Sequence, residues 1–410
     1  MLFYNVKTVE ETIDIIKSHV QPISEVITLP IGGASGYILA EDIVSKENVP
    51  AFARSTVDGY AVHSKDTFGS SESMPSFLTL TNEIKMGEEV TTPLGDGEAM
   101  YIPTGGMIPP GCDSIIMIEH CEDIDGLLNT YKEVAPGENI ISVGEDVKEN
   151  EILLKKGTKL RSQELGILGS VGHANVQVYR KVIVGYLSSG DEIMPYDTEQ
   201  LQVGQVRDIN QLTISTLTKE AGADLVNGGI VPDDYESFFA KAKELYNQVD
   251  LLVMSGGSSV GTKDYTTDVI AALGEPGVLV NGVSVKPGKP TIFGMANQKP
   301  VLGLPGHPAS AVIIYKLFGE RLIHLLNGST EHELPNAVEA NLSQNLPSSP
   351  GRSDYIRVQL KNENNQWWAY PVLGKSGLIS TLVESDGMVE IPSEKEGIRQ
   401  GEVVSVYLFR

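Results

Sequence analysis

The sequence predicts a multidomain chain of α/β and β units, with a parallel-sheet α/β domain flanked on both sides by β-rich segments. Three observations predict it. Residues 180–325 alternate unbroken apolar runs with helix-length stretches, the pattern of a parallel sheet buried on both faces. Residues 44–140 carry short apolar runs punctuated by Gly/Pro turns, and the chain from about Glu331 is strand-rich again. At about 150 residues per domain, the 410 residues allow roughly three such units.

The opening helix is set by Thr8-Val9-Glu10-Glu11, a capping box in which Thr8 accepts from the first turn and Glu11 reaches back. Val9, Ile13, Ile16 and Val20 recur on one face at helical spacing, and Pro22 stops the run. Apolar stretches at 77–80, 99–102, 114–118 and 127–131 then alternate with turns such as Pro109-Pro110-Gly111, predicting a mainly β domain. Helical character returns over 162–168, with Ser162 as the N-cap. The block 44–140 therefore reads as an insertion in a smaller unit that starts before it and resumes after it. The expected boundaries are 1–43 with 141–179, 44–140, 180–327 and 328–410.

Residues 182–187 form a continuous apolar strand that runs into Ser188-Ser189-Gly190-Asp191-Glu192. A helix (210–221), a strand (224–231), a helix (233–247) and a strand (251–254) lead to the loop Ser255-Gly256-Gly257-Ser258-Ser259-Val260-Gly261. A helix from Tyr265, a strand at 300–304 and a long helix opening at Pro308 follow. The loops after Leu187, Met254 and Leu304 lie at the carboxyl ends of strands, the edge at which open α/β sheets bind ligands. Runs at 355–360, 367–372 and 402–409 predict a small terminal β-barrel or sandwich.

Lys and Arg total 31 against 54 Asp and Glu, a formal charge of −23. So acidic a chain repels a polyphosphate backbone, which argues against a nucleic-acid partner. Handling an anion would require the few cations to be concentrated at one place. The N-terminal stretch mixes charges into every turn and lacks the apolar core of a signal peptide. The longest apolar run, 309–326, is broken by Lys316, Glu320 and Arg321, so no membrane span is expected. Cys112 and Cys121 match no zinc pattern and read as reduced thiols of a cytoplasmic protein.

Two constellations carry chemistry. Asp191 and Glu192 directly follow a buried strand, Asp208 precedes a helix, and Asp264 closes the Gly-rich loop. Asp208 and Asp264 each fit a helix N-cap. Four carboxylates at one sheet edge also fit Mg²⁺, a hard cation held by a few carboxylates and by substrate phosphate. The second constellation, Lys286-Pro287-Gly288-Lys289-Pro290, fixes two ammonium groups in a turn stiffened by proline, which favours an anion cradle. Gly303-Leu304-Pro305-Gly306-His307-Pro308 adds a helix start with proline at its first position and backbone N–H groups facing an anion. His307 reads as a hydrogen-bonding loop residue. Asp58-Gly59 is first a turn signal, and Gly-Gly-Ala-Ser-Gly at 32–36 lacks the Lys-Ser/Thr ending of a phosphate loop.

The segments STVDGYAV (55–62), PTGGMIPPGCDSIIMIE (103–119), GED (144–146), SSGDEI (188–193), QVRDIN (205–210), SGGSSVGTKDYT (255–266), VKPGKPTIFG (285–294) and GLPGHPASA (303–311) occur in the order and spacing of the MoeA/gephyrin E-domain family. The chain resembles that family over essentially its whole length. The resemblance implies an elongated homodimer of four structural units, ending in a C-terminal β-barrel. It implies an enzyme that takes adenylylated molybdopterin and molybdate, uses a divalent cation, and releases molybdenum cofactor and AMP. The implied active site lies between the α/β domain of one subunit and the N-terminal units of the other.

By motif, Asp58, Thr104, Asp146, Glu192, Asp208, Asp264, Lys286 and Lys289 match the family's functional positions. Gly190, Ser255, Gly256, Gly257, Ser258, Pro305, Gly306 and Pro308 match loops that would bind substrate. Arg352 and Ser376 are candidates for oxyanion contacts, with Arg357 as an alternative to the first. Three departures stand out: His307 where Asn is usual, Ser258 where Val is common, and Thr-Val before Asp58-Gly59 in place of Ala-Met. Two other readings share features of the chain, a molybdopterin adenylyltransferase and a non-catalytic scaffold like gephyrin. The sequence does not distinguish molybdate from tungstate.

Overall fold

In the computed structural model, which describes residues 6–256, 265–329 and 336–409, the first helix spans Val9–His19. Thr8 Oγ1 accepts from the Glu11 amide at 3.1 Å and the Glu11 carboxylate accepts from the Thr8 amide at 2.9 Å, so the capping box forms as expected. Val9, Ile16 and Val20 belong to the same hydrophobic core as Val182, Val184 and Tyr186. By packing, this helix joins the α/β core rather than the small unit that follows it in sequence.

That small unit is made from two stretches of chain. Val26–Pro30 pairs antiparallel with Asn175–Tyr179, and Ile43–Val44 with Ile152–Leu154. Ala34, Leu39, Leu160, Leu168 and Val178 form its core. Its helix, Ser162–Ser170, begins one residue earlier than Ser162 capping would require, because Glu164 reaches back to Arg161. The Glu164 carboxylate accepts from the Arg161 amide at 2.8 Å and from the guanidinium at 2.6 Å, which makes Arg161 the cap and Ser162 the first helical residue.

The intervening residues form a six-stranded sheet in the order Ser114–Met117, Gly59–Val62, Glu98–Ile102, Ser76–Glu83, Leu127–Thr130, Cys121–Ile124. Successive side chains alternate between its faces. Tyr60, Ala99 and Ile116 fall in one core, and Ala61, Met100 and Ile115 in another. Burial pushes the thiols of Cys112 and Cys121 up to about 11 and about 12, which marks them as packing groups rather than nucleophiles.

The α/β sheet has the order Asp224–Val231, Ile183–Ser189, Leu251–Ser255, Lys299–Leu304, Ile292–Ala296, Pro276–Asn281. Its first four strands are parallel, and the last two extend it antiparallel. The apolar-run reading passes over that pair because Pro276, Gly277 and Gly294 look like turn residues. Helix Ile209–Glu220 and the long helix from Pro308 cover one face of the sheet, and Tyr235–Tyr246 and Tyr265–Leu273 cover the other. The long helix continues through one π-turn at Tyr315–Gly319 before Glu320–Leu326.

Arg180 clamps the units together. It bonds Asp250 at 2.6 and 2.8 Å and Glu25 at 2.6 Å.

The terminal strands close into a five-stranded barrel: Ser353–Glu363, Gln366–Pro371, Ala337–Leu342, Val403–Leu408, Gly387–Ile391 and back to Ser353–Glu363. A short strand of the α/β unit, Val285–Lys286, adds in parallel to its rim, with Val285 opposite Ser353 and Lys286 opposite Asp354. Among the described residues no helix is long and apolar enough to cross a membrane.

Candidate active site

The carboxyl ends of Ile183–Ser189, Leu251–Ser255 and Lys299–Leu304 open into a cleft of about 1670 Å³ whose facing wall is the barrel. Beneath its floor lies a buried polar network. One oxygen of Asp208 caps helix Ile209–Glu220 by accepting from the Gln211 amide at 3.0 Å, and the other accepts from the Ser188 hydroxyl at 2.5 Å. The Tyr186 hydroxyl lies 3.1 Å from Ser188, and burial pushes its pKa up. Asp208 is only 6% exposed, and these bonds describe a capping carboxylate. Asn210 joins two loops over it, its Nδ2 donating to Ser255 Oγ at 3.1 Å and to the Gly306 carbonyl at 2.9 Å.

Gly256 has φ +101, and a Cβ there would stand 2.1 Å from the Ser189 carbonyl oxygen. Only glycine lets the two strand ends approach so closely. Gly257, Ser258 and Asp264 lie outside the described residues.

The remaining carboxylates divide. Glu192 lines the cleft, as does Asp233, which accepts from the Ser189 hydroxyl at 2.6 Å. Asp191 is turned to the Asp233 amide, which it accepts at 3.1 Å, and it does not line the cleft. Gly190 donates its amide to the Val231 carbonyl at 3.1 Å, shaping the turn that presents Glu192. Among the described residues no three His, Cys, Asp or Glu side chains come together as a metal site. The cleft carboxylates among the described residues suit Mg²⁺ in a substrate-bridged form, with one or two hard carboxylates and phosphate oxygens completing the shell.

Lys286 and Lys289 line the same cleft. Gly288, φ +116, lets the Lys286–Lys289 turn press against the long helix, where a Cβ would meet Ile314 Cδ1 and Cγ1 at 2.5 Å. Thr291 Oγ1 donates to the Gly288 carbonyl at 2.6 Å, and the Val283 amide donates to the Lys289 carbonyl at 2.9 Å. Residues at the start of the chain strap the turn from outside: the Lys7 amide donates to Gly282 at 3.2 Å, and the Ser284 amide donates to Lys7 at 2.7 Å.

Lys286 Nζ is 3.9 Å from the buried Asp354, whose other oxygen accepts from Arg352 Nε at 2.8 Å. Arg352 is therefore committed to a carboxylate. Arg357 is 7% exposed and donates from Nη2 to the Gly374 carbonyl at 3.0 Å, while its buried Nε has no partner. Burial lowers its pKa, the mark of a cation short of a counter-charge. Arg357, the second choice from sequence, is the better placed of the two for an oxyanion.

Pro305, Gly306 and Pro308 complete the lining. The helix-start amide of Ala309 is not offered to a ligand, since it donates to the Ser376 carbonyl at 3.0 Å. His307 Nδ1 lies 2.9 Å from Ser376 Oγ.

The N-terminal candidates stand elsewhere. Asp58 Oδ1 accepts from the Thr104 amide at 2.7 Å and from the Thr104 hydroxyl at 3.0 Å, and these two bonds hold its pKa below the ordinary carboxylate value. Asp146 is exposed, its amide donating to the Val49 carbonyl at 3.1 Å. None of the three lines the cleft of its own chain. Sequence reasoning missed Asn210 and Asp233 as site residues. Each opens a predicted helix, and Asp233 also follows a predicted strand end, which was the available signal.

The cleft therefore brings lysine, arginine and carboxylate side chains together at the carboxyl edge of a parallel sheet, between an α/β domain and a barrel. Comparison with known proteins narrows this. A family model of the MoeA N-terminal region (domain I and II) matches residues 7–172, one of a probable molybdopterin binding domain matches 185–324, and one of the MoeA C-terminal region (domain IV) matches 339–409. The molybdopterin molybdenumtransferase of Haemophilus influenzae is 34% identical over 92% of this chain and 92% of its own length. That of Bacillus subtilis is 32% identical over 91% and 87%. The crystal structure of a molybdopterin biosynthesis MoeA protein from Pyrococcus horikoshii superposes with a TM-score of 0.86 at 29% identity, covering 99% of this chain and all of that one. The chain belongs to the MoeA family.

Proposed function

We propose that this chain inserts molybdate into adenylylated molybdopterin in a Mg²⁺-dependent step, releasing molybdenum cofactor and AMP, and that it works as a homodimer. Molybdopterin and molybdate as substrates follow the MoeA relatives. The observation that carries the reading is the cleft itself. In a chain of charge −23, Lys286, Lys289 and Arg357 line one cleft together with Glu192 and Asp233.

In this reading catalysis is electrostatic rather than nucleophilic. Lys286 and Lys289 hold molybdate or phosphate oxygens. Arg357 adds a donor whose desolvation cost is offset once an anion is bound. Ser376 adds a hydroxyl donor from the barrel loop. Asn210 keeps the Ser255 and Gly306 loops in register, and the buried Asp208 fixes the helix start beneath them. A divalent cation held by Glu192 and pyrophosphate oxygens would supply Lewis-acid stabilisation of the leaving phosphate. Asp58 and Asp146 act from the partner subunit, which accounts for their distance from their own cleft. The adenylyltransferase alternative would use the α/β unit alone, yet here the Lys286 turn is paired into the barrel.

The test is AMP release from adenylylated molybdopterin with Mg²⁺ and molybdate. Asp58→Asn and Lys289→Ala should each abolish it. Mixed dimers of the two inactive variants should regain activity, because one of their two sites carries neither substitution. Full activity in both single variants refutes the site, and inactive mixed dimers refute its inter-subunit construction.

A further inference from the structure

His307 is the N-cap residue of the long helix, but its side chain does not cap it. The ring instead crosses the cleft to the barrel, placing Nδ1 2.9 Å from Ser376 Oγ. The Ser376 backbone is pinned at the same place, since its carbonyl accepts from the Ala309 amide at 3.0 Å. Only the Ser376 hydroxyl hydrogen is left free to choose a direction. A hydroxyl has one hydrogen to donate. If Nδ1 is bare, that hydrogen goes to the imidazole and Ser376 presents lone pairs to the cleft. If Nδ1 carries a proton, the imidazole donates and the hydroxyl hydrogen is released towards a bound anion.

We propose that His307 is a positioning residue that sets the donor state of Ser376, making oxyanion capture by this chain depend on pH. The inference rests on the reading of the cleft as an oxyanion site. The sign follows from two effects that agree. Protonation of His307 adds a positive charge at the cleft wall and, from a neutral ring that carries its hydrogen on Nε2, turns the Ser376 hydroxyl into a donor, so binding strengthens as the ring is protonated.

Charged and titratable groups line the cleft that holds the imidazole. The barrel contributes Lys375, Arg352, Tyr355 and Arg357, the cation turn Lys286 and Lys289, and the strand-end side Glu192, Arg207, Asp208 and Asp233. Carboxylates, lysines, tyrosines and arginines ordinarily titrate outside about pH 5 to 8, and histidine titrates within it. Asparagine at 307 has no proton to exchange in that range, so the device belongs to chains that carry histidine there.

The experiment is calorimetric binding of molybdate to the full-length chain at about pH 6 and about pH 8, a range that spans the histidine titration. The wild type should bind roughly five- to tenfold tighter at the lower pH, the worth of one hydrogen bond with charge assistance. In His307→Asn the ratio should fall to about one, and in Ser376→Ala, which keeps the imidazole charge but loses the hydroxyl donor, it should fall part of the way, whatever their absolute affinities. The ratio is internal to each variant, so a uniform loss of affinity from structural damage does not imitate the result. An unchanged ratio in His307→Asn overturns the inference and leaves the oxyanion reading standing. Absence of molybdate binding by the wild type at both pH values overturns the reading and the inference together.

Discussion

Gly288→Ala tests whether the geometry of the lysine turn, rather than its charge alone, makes the site. The added Cβ would stand 2.5 Å from both Ile314 Cδ1 and Cγ1. Carbon atoms prefer about 3.5–4.0 Å, so relief requires a shift of about 1 Å. Holding the turn in place would cost about 1–3 kcal/mol for overpacking and a similar amount for a non-glycine residue at φ +116. Letting it move gives up the Thr291–Gly288 and Val283–Lys289 hydrogen bonds, at about 1 kcal/mol each. Moving is the cheaper response. It carries Lys286 and Lys289 with it, and a displacement of about 1 Å at a reacting centre costs on the order of 100-fold in rate. The expected outcome is a thermal midpoint lowered by only several degrees, with AMP release down about 100-fold. Ile314→Ala in the same chain removes both clashing atoms and should recover part of the loss. A Gly288→Ala protein with wild-type turnover, or a double variant no better than the single, would refute the argument.

Other outcomes follow from the same structure. Arg357→Met should weaken molybdate binding about tenfold or more in a titration, while leaving stability unchanged or slightly higher, because it removes a buried cation with an unpartnered Nε. Asp250→Asn should cost roughly 2 kcal/mol in a denaturant titration at neutral pH by leaving Arg180 half-buried with only Glu25. Burial alone would raise the Asp250 pKa, but the Arg180 bonds hold it below the ordinary value. Its contribution is therefore present above the unfolded carboxylate pKa and lost as pH falls through the lower folded one, so variant and wild type should converge in acid. Thr104→Val removes one of the two bonds that keep Asp58 low, and the acid limb of the pH–rate profile should move to higher pH.

Local chemistry was legible in the sequence wherever it decides the outcome locally. The capping box at Thr8, the parallel strands at Ile183–Ser189 and Leu251–Ser255, and the Lys286–Lys289 turn all depend on neighbours a few residues away. What escaped depends on contacts across the fold. Arg352 meets its carboxylate only two residues on, at Asp354, whereas the burial of Arg357 with an unpartnered Nε is set by the barrel packed around it. The first helix was placed by its own periodicity, but its partner surface on Val182 and Tyr186 comes from far along the chain. Asp208 could be read as cap or ligand from its position. The structure shows the cap and a Ser188 bond, and Asp208 also lines the cleft.

The pairing of Val285–Lys286 with the barrel rim gives the last domain a role that its own residues do not reveal. The turn that carries the two lysines is part of a seam stitched from both sides. A graft of a foreign barrel onto this α/β domain would have to match the register of Val285 on Ser353 as well as the hydrophobic fit. A chain cut between the two would expose an unpaired strand edge at the place where the anion is to be held. Within this architecture the barrel and the lysine turn can change only together, so exchange among relatives should proceed by the α/β–barrel pair as a unit.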